Sequence, residues 1–195
     1  MTDPSGEDID GSTPLTEEEL EQLIPSYITW QHELNEAEQA NILEAGEWAF
    51  LRKRDVLSER FLDNLHDRMF RRVWHWAGKH RQSNKNLGID AYRIPTELRQ
   101  LVEDCRYWVD NDTYEPDEMA TRFHHRLVCI HAYANGNGRH ARLATDLLLV
   151  ALGRKPFSWG RVNLVDAGET RNSYITALRA ADNHDIEPLL DFVRT

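Results

Sequence analysis

The sequence predicts a mostly α-helical protein with at most one small β-hairpin. Two observations support this fold class: amphipathic segments with apolar residues every three or four positions fill most of the chain after residue 14, and neither an internal repeat nor a series of alternating strands is present. A chain of 195 residues is long enough for one domain with an appendage. We expect a disordered acidic tail over residues 1–14, an N-terminal helical segment over 15–50 and a helical core over 51–195.

The first half of the chain predicts three helices and one loop region. Residues 13–25 place acids in a first helical turn, which suits the helix dipole. Residues 32–51 and 58–78 have apolar residues at helical spacing, and the second of these begins at a serine cap and ends at a glycine. Residues 79–95 are polar, weakly alternating and contain Gly and Pro, so they predict a short β-hairpin or an ordered loop.

The second half predicts further helices. Residues 95–112 and 115–132 are amphipathic. The segment 139–153 is apolar nearly all round, which indicates a helix in the middle of the domain. Residues 170–195 predict one or two closing helices.

The charge is divided unevenly along the chain. The net charge is −10, and residues 1–51 hold 13 Asp and Glu without any Lys or Arg, which leaves 20 acids and 23 bases for residues 52–195. The acidic part is either a solvated surface or a segment that lies over a basic, anion-binding site. An acidic chain argues against direct nucleic-acid binding as the main role.

Other composition features favour a cytoplasmic protein without a membrane segment. The longest apolar run is far shorter than the roughly 18–20 residues that span a bilayer, and the N-terminus lacks the basic and apolar regions of a signal peptide. Cys105 and Cys129 are not in a metal-like spacing, and we interpret them as buried or half-buried thiols in a reducing compartment.

A polar cluster around the beginning of the segment 139–153 indicates an anion site. A helix start leaves backbone N–H groups unpaired and carries a partial positive charge. Gly136 and Gly138 allow the backbone to approach a ligand closely, and Arg139 and Arg142 lie near one face of the first turns. Phosphate is the natural occupant of such a site.

His131 ends the preceding amphipathic segment, close to the same cluster. Histidine has a pKa near neutrality and is the commonest general base in enzymes. A base beside a phosphate cradle predicts a transfer reaction onto a hydroxyl group.

The run HAYANGNGRHAR, from His131 to Arg142, resembles the Fic/Doc family signature His-x-Phe-x-(Asp/Glu)-Gly-Asn-Gly-Arg-x-x-Arg. The segment FRRVWHWAGKHR is similar to the family's Trp-Ala-Gly segment, and QSNKNLGIDAYRIP stands where the family has its target-docking flap. YITALRAADNHDIEPLLDF resembles the closing helices, so the resemblance covers about residues 30–195. The nearest subgroup is the bacterial set called mobile mystery protein B.

The resemblance implies a Fic-like helical bundle with a β-hairpin flap that transfers AMP from ATP, with Mg²⁺, to a Ser, Thr or Tyr hydroxyl of a protein. His131 would deprotonate the hydroxyl. The implied phosphate-binding residues are Gly136, Asn137, Gly138, Arg139 and Arg142. The target protein would dock on the flap near residues 81–94, and a helix-turn-helix partner in a toxin–antitoxin-like arrangement is usual in this subgroup.

The chain departs from the signature at two positions. Tyr133 replaces Phe, and Asn135 replaces the acid that helps to hold Mg²⁺, so we expect weaker metal binding at position 135. Many members of the family carry an inhibitory motif, (Ser/Thr)-x-x-x-Glu-(Gly/Asn), whose Glu pairs with the second arginine of the signature. Thr29 and Glu33 match this motif in part, so the resemblance implies that Glu33 pairs with Arg142, although an ordinary helix start has the same pattern. Two alternatives to AMP transfer remain open: kinase-like transfer of another phosphate-containing group, and a nucleotide-binding interaction module with little activity.

Overall fold

The computed structural model describes residues 14–160 and 167–195, and it confirms the mostly α-helical class. Almost all of the predicted tail therefore lies outside the described residues. Within those ranges the structure has no β-strand. The helices are α1 (Glu17–Leu20), α2 (Gln31–Phe50), α3 (Glu59–Phe70), α4 (Ile94–Asp110), α5 (Pro116–Ile130), α6 (Asn137–Ala151), α7 (Ala167–Asp182) and α8 (Glu187–Arg194), with a 3₁₀ turn at Ala91–Arg93.

The short helix α1 is fixed at both ends. Thr16 and Glu19 form a capping box at its start, in which each side chain accepts a hydrogen bond from the other residue's backbone N–H. After α1, Leu23 forms an isolated antiparallel bridge with Trp74, and the Ile24 N–H donates to the Val73 carbonyl at 2.8 Å. The N-terminal helical segment is therefore attached to the core rather than solvated on all sides.

Helix α3 ends at Phe70, eight residues before the predicted end at Gly78. The intervening residues form turns, which bury Val73 and Trp74 and place Trp74 opposite the N-terminal segment. A continuing helix would carry this apolar pair away from that contact. Gly78 closes the turns with φ +71°, where a Cβ atom would lie 2.8 Å from the Asp67 side chain.

The expected β-hairpin over residues 81–94 is absent. Bends and a 3₁₀ turn stand in place of the two strands. The physical reason is Arg81, which is only 4% exposed. Its guanidinium donates to the carbonyls of Ser83 at 2.8 Å and Ile89, so the loop carbonyls are satisfied by a side chain instead of a strand ladder. The alternative of an ordered loop describes this segment, which we call the flap.

Helix α6 lies between two hydrophobic clusters. Ala141, Ala144 and Leu148 contribute to the larger cluster with α2–α5, and Leu149 contributes to a smaller one with α7 and α8. The predicted central position of this helix is thus confirmed, and its N-terminus is held on a rigid platform. None of the helices in the described part of the chain is both long and apolar enough to cross a membrane.

Candidate functional site

The loop between α5 and α6 contains two residues with left-handed backbone. His131, which caps the C-terminus of α5, has φ +52°, and Gly136, which caps the N-terminus of α6, has φ +78°. A Cβ atom on Gly136 would lie 2.4 Å from the Phe70 ring, so only glycine fits there. A left-handed histidine is uncommon and costs conformational energy, and such residues cluster at functional sites.

Asn137 closes this loop with its side chain. Its Oδ1 accepts from the Tyr133 N–H at 2.9 Å, and its Nδ2 donates to the Tyr133 carbonyl at 2.8 Å. The side chain is buried, so it shapes the loop rather than reaching a ligand. The backbone N–H of Asn137 is the part of the residue that can contact a phosphate.

Helix α6 begins at Asn137, two residues earlier than the sequence predicted, and no side chain caps it. The first hydrogen-bonded amide is that of His140, which donates to the Gly136 carbonyl at 2.9 Å. The N–H groups of Asn137, Gly138 and Arg139 therefore have no acceptor within the helix. A Cβ atom on Gly138 would meet nothing within 4 Å, so open space faces the helix start. This arrangement can accept an anion.

His131, at the other end of the same loop, is held neutral. Burial, and to a lesser extent the positive charge of Arg81, lower its pKa to about 4, against a hydrogen bond to the Val128 carbonyl that raises it. A ring N–H donated to Val128 places the basic lone pair on the other ring nitrogen. The residue is consequently a base, not a cation, at neutral pH.

Arg81 is a site residue that the sequence analysis missed. Its Nε donates to the His131 carbonyl at 2.7 Å, and its backbone N–H donates to the Ala132 carbonyl at 2.9 Å. The same guanidinium holds the flap carbonyls, so one side chain ties the flap to the left-handed histidine. No spacing rule marks this arginine, because its partners at the motif are carbonyls 50 and 51 residues away.

The flap approaches His131 closely. A Cβ atom on Gly88, which has φ +94°, would lie 2.4 Å from the His131 Cβ. Lys85 of the flap forms an ion pair with Glu19 and donates to the Pro14 carbonyl at 3.2 Å. The acidic N-terminal segment is thus joined to the flap by a buried lysine.

Buried side-chain rings pack against the loop between α5 and α6 on its core side. His66 stacks on Tyr133 with ring centroids 3.7 Å apart. Its Nδ1 accepts from the Gly78 N–H at 3.0 Å, so its Nε2 carries the proton and donates to the Asn135 carbonyl at 3.1 Å. His140 donates through Nε2 to the Leu62 carbonyl at 3.0 Å. These contacts fix the backbone of the motif without touching the ligand space.

Neutral buried histidines should make the protein less stable in acid. Burial lowers the pKa of His124 to about 3 and that of His140 to about 4. Because the unfolded chain binds these protons near pH 6.5 and the folded chain does not, stability falls as pH drops from about 6.5 towards 4. We expect a loss of about 2 kcal/mol per group at pH 5, measured as the free energy of unfolding in urea.

The variant His140→Gln provides the comparison for that experiment. Its amide can still donate to Leu62 but cannot titrate, so the loss between pH 7 and pH 5 should be smaller than in the wild type. Equal losses in the two proteins would contradict the account.

The two arginines of the motif have different surroundings. Arg139 Nη1 lies 2.6 Å from Glu38 Oε2, and its guanidinium lies over the Phe70 ring at 5.0 Å. Glu38 is 5% exposed and also accepts from Trp74 Nε1 at 2.7 Å. The Arg142 guanidinium lies 5.5 Å from the Tyr174 ring centroid, which places it on the α7 side of the site.

The structure does not bring Glu33 to Arg142. Glu33 Oε2 accepts from the backbone N–H groups of Thr29 at 2.8 Å and Trp30 at 3.0 Å, and these two bonds lower its pKa. The alternative of an ordinary helix start describes these contacts, because Glu33 is the third residue of α2 and completes its N-terminal turn. The residue of α2 that pairs with a motif arginine is Glu38, about one helical turn further on, and its partner is Arg139.

Asn135 is oriented by its own loop. Its Oδ1 accepts from the Gly136 N–H at 2.6 Å. A metal ion at this position would share an amide oxygen that already accepts a hydrogen bond, which is a weaker ligand than a carboxylate.

Residues 56–149 match the Fic/DOC family model. The matched region contains the flap, the left-handed histidine and the start of α6. The finer resemblance to the mobile mystery protein B subgroup is not confirmed by this match.

Curated relatives align with 120 residues, or 60%, of the chain. They include protein adenylyltransferase fic-1 of Caenorhabditis elegans and protein adenylyltransferase Fic of Nematostella vectensis, each 28% identical. The alignments cover 22% and 26% of these proteins, so the chain spans about a quarter of the length of the relatives that it matches.

Solved structures with the same fold include two Bartonella proteins. BepC from Bartonella tribocorum with bound AMPPNP has a TM-score of 0.70 at 16% identity, over 92% of this chain and 97% of that one. An N-terminal Fic domain from Bartonella quintana with bound ADP has a TM-score of 0.68 at 18% identity, over 87% and 86%. At these identities the likeness establishes the fold.

Proposed function

We propose that this protein transfers AMP from ATP to a hydroxyl side chain of another protein. The observation that carries the proposal is a neutral, left-handed His131 beside an uncapped helix start that is flanked by Arg139 and Arg142. The names of the curated relatives, which are protein adenylyltransferases, support the same activity. The adenine nucleotides bound in two structures with this fold support ATP as the substrate.

In the proposed reaction the target hydroxyl oxygen attacks the α-phosphorus of ATP. The new O–P bond forms as the bond from the α-phosphorus to the bridging oxygen breaks, so pyrophosphate leaves and the hydroxyl proton passes to His131. The N–H groups at the start of α6 would stabilise charge on the α- and β-phosphates, and Arg139 and Arg142 would bind the outer phosphates. Gly138 leaves space for this close approach.

We expect Mg²⁺ to be held mainly by phosphate oxygens and water. Position 135 offers a neutral amide oxygen that already accepts the Gly136 N–H, so it can add only a weak ligand. When bound, the ion would neutralise charge on the triphosphate. The transfer would then require more Mg²⁺ than in a protein with an acid at this position.

We also propose that the target protein docks on the flap, residues 81–94. Arg81 holds this loop next to His131, so a peptide segment bound along it would present a hydroxyl to the base. Main-chain hydrogen bonds would align the peptide without reading much of its sequence. The helix-turn-helix partner and the cytoplasmic location stay predictions, and the second is consistent with the free thiols of Cys105 and Cys129.

ATP labelled at the α- or the γ-phosphate tests this function. The purified protein is incubated with each nucleotide, Mg²⁺ and a bacterial lysate, and labelled proteins are separated on a denaturing gel. Label from the α position alone supports AMP transfer. Label from the γ position would instead indicate a kinase-like reaction, and nucleotide binding without any labelled protein would indicate an interaction module.

Glu38 should compete with ATP for Arg139. Carboxylates and phosphates bind a guanidinium group with the same bidentate geometry, and Glu38 lies 2.6 Å from Arg139. In Glu38→Gln the amide can still accept from Trp74, but the competing charge is lost. We expect ATP to bind about 3–10-fold more tightly, as one weakened ion pair of ~1 kcal/mol allows, measured by calorimetry.

Gln39→Glu, which adds a charge at the neighbouring position on α2, is the matched control and should leave ATP affinity unchanged. A lower affinity in Glu38→Gln would contradict the competition and would mean that Glu38 orients Arg139 for the phosphate.

A further inference from the structure

A cluster of three potential metal ligands lies where α5 meets the end of α7. His125 Nε2 is 2.8 Å from Asp182 Oδ1 and 3.3 Å from Cys129 Sγ, and Cys129 Sγ is 3.4 Å from the same carboxylate oxygen. Each residue offers one ligand atom to the same point, and none of the three has a role in the proposed transfer reaction.

The positions of these residues follow from the two helices. His125 and Cys129 are four residues apart on α5, so they lie on one face of that helix, one turn from each other. Asp182 is the last residue of α7 and comes to them from a segment more than 50 residues away. The fold, and not the local sequence, assembles the cluster, which explains why the cysteine spacing alone gave no sign of it.

The three distances between the ligand atoms are close to those found around a tetrahedral metal ion. Ligands bonded at about 2.0–2.3 Å in tetrahedral geometry lie about 3.3–3.8 Å apart. The two distances from Cys129 Sγ fit this range, and the distance between His125 Nε2 and Asp182 Oδ1 needs to increase by about half an ångström. The side chain of His125 is 16% exposed and that of Asp182 is 55% exposed. The solvent side therefore provides an entry path and a place for a water ligand.

The chemistry of the donors selects the ion. A thiolate and an imidazole are soft to intermediate ligands that suit Zn²⁺, whereas Mg²⁺ and Ca²⁺ prefer sites made of oxygen only. A site with three protein ligands and one water is a known zinc arrangement. We propose that His125, Cys129 and Asp182 bind one Zn²⁺ ion, with the cysteine as a thiolate whose proton is released to solvent.

Such an ion would clamp α7 to α5 on the side of the fold that carries Arg142. His124, next to the proposed ligand His125, contacts the Tyr174 hydroxyl at 2.7 Å, and the Arg142 guanidinium lies over the Tyr174 ring. Holding the end of α7 in place would therefore also hold this ring beside Arg142. The proposal itself is independent of the transfer reaction, because it concerns the metal alone.

Cobalt substitution tests the site directly. Reduced, metal-free protein is titrated with Co²⁺, whose bond to a thiolate gives a charge-transfer band in the near ultraviolet, and Zn²⁺ is then added. We expect the band to saturate at one equivalent and to disappear as Zn²⁺ displaces cobalt. Cys129→Ser should lack the band, and Asp182→Asn should bind at least about tenfold more weakly.

His184→Asn is the control, because His184 is exposed, lies two residues after Asp182 and has a left-handed backbone that Asn tolerates. It should bind Co²⁺ like the wild type. Zn²⁺ should raise the unfolding temperature of the wild type and of this control by more than that of Asp182→Asn, and circular dichroism checks that each variant is folded. A wild type without the band, or a band that persists in Cys129→Ser, would overturn the proposal.

Discussion

Replacing His131 by alanine should lower the rate of AMP transfer by about 10²–10⁴-fold, the usual cost of removing a general base. ATP affinity should stay near the wild-type value, because the N–H groups at the start of α6 and the two arginines are unchanged. The rate is measured in single turnover with α-labelled ATP, and the affinity is measured by calorimetry. A reduction in affinity alone would mean that His131 binds substrate instead of accepting a proton.

A second variant separates catalysis from backbone strain. His131 has φ +52°, a conformation that alanine adopts reluctantly but asparagine tolerates. His131→Asn should therefore keep the loop and still lose the reaction, because its amide is not basic at neutral pH. Transfer at the wild-type rate in either variant would contradict the role given to His131.

Replacing Gly136 by alanine should have the largest effect on the loop. The methyl group would lie 2.4 Å from the buried Phe70 ring, and the φ of +78° adds a penalty of about 1–2 kcal/mol for any residue with a Cβ atom. We expect a loss of more than 2 kcal/mol in the free energy of unfolding. Nucleotide binding should be lost as well, because the start of α6 must shift.

Gly138→Ala is the matched comparison, since the same methyl group meets no protein atom within 4 Å. It should stabilise the helix by about 0.5–1 kcal/mol and yet weaken ATP binding, because the methyl group enters the space where the phosphates would lie. The free energy of unfolding and the ATP affinity of the two variants are measured together. Equal stability of Gly136→Ala and the wild type, or unchanged affinity in Gly138→Ala, would contradict the description of the loop.

The sequence allowed the central part of this architecture to be predicted because the relevant signals are local. A helix that is apolar nearly all round indicates its own burial, and the glycines and arginines of the proposed site lie within a few residues of one another at the start of that helix. The class of fold and the buried, central position of α6 could be predicted in this way. The sequence places the start of α6 two residues too late. The reason is that the Asn137 side chain hydrogen-bonds both the N–H and the carbonyl of Tyr133, and residue type alone does not reveal this contact.

The remaining features depend on contacts between distant segments. The flap lacks a hairpin because Arg81 satisfies two of its carbonyls, those of Ser83 and Ile89. Glu38 rather than Glu33 pairs with Arg139, because Glu33 caps the start of its own helix. Glu38 and Arg139 are 101 residues apart. Periodicity and spacing do not specify which acid meets which arginine over such a distance.

The claim that the start of α6 binds the phosphates of ATP can be tested at the level of single amides. Nitrogen-15 labelled protein is titrated with a non-hydrolysable ATP analogue and Mg²⁺, and the backbone amide resonances are followed by NMR. The account predicts that Asn137, Gly138 and Arg139 show the largest shifts, saturating together, while amides of α4 stay unchanged. Saturable binding of the analogue that leaves the resonances of these three amides unchanged would contradict the account.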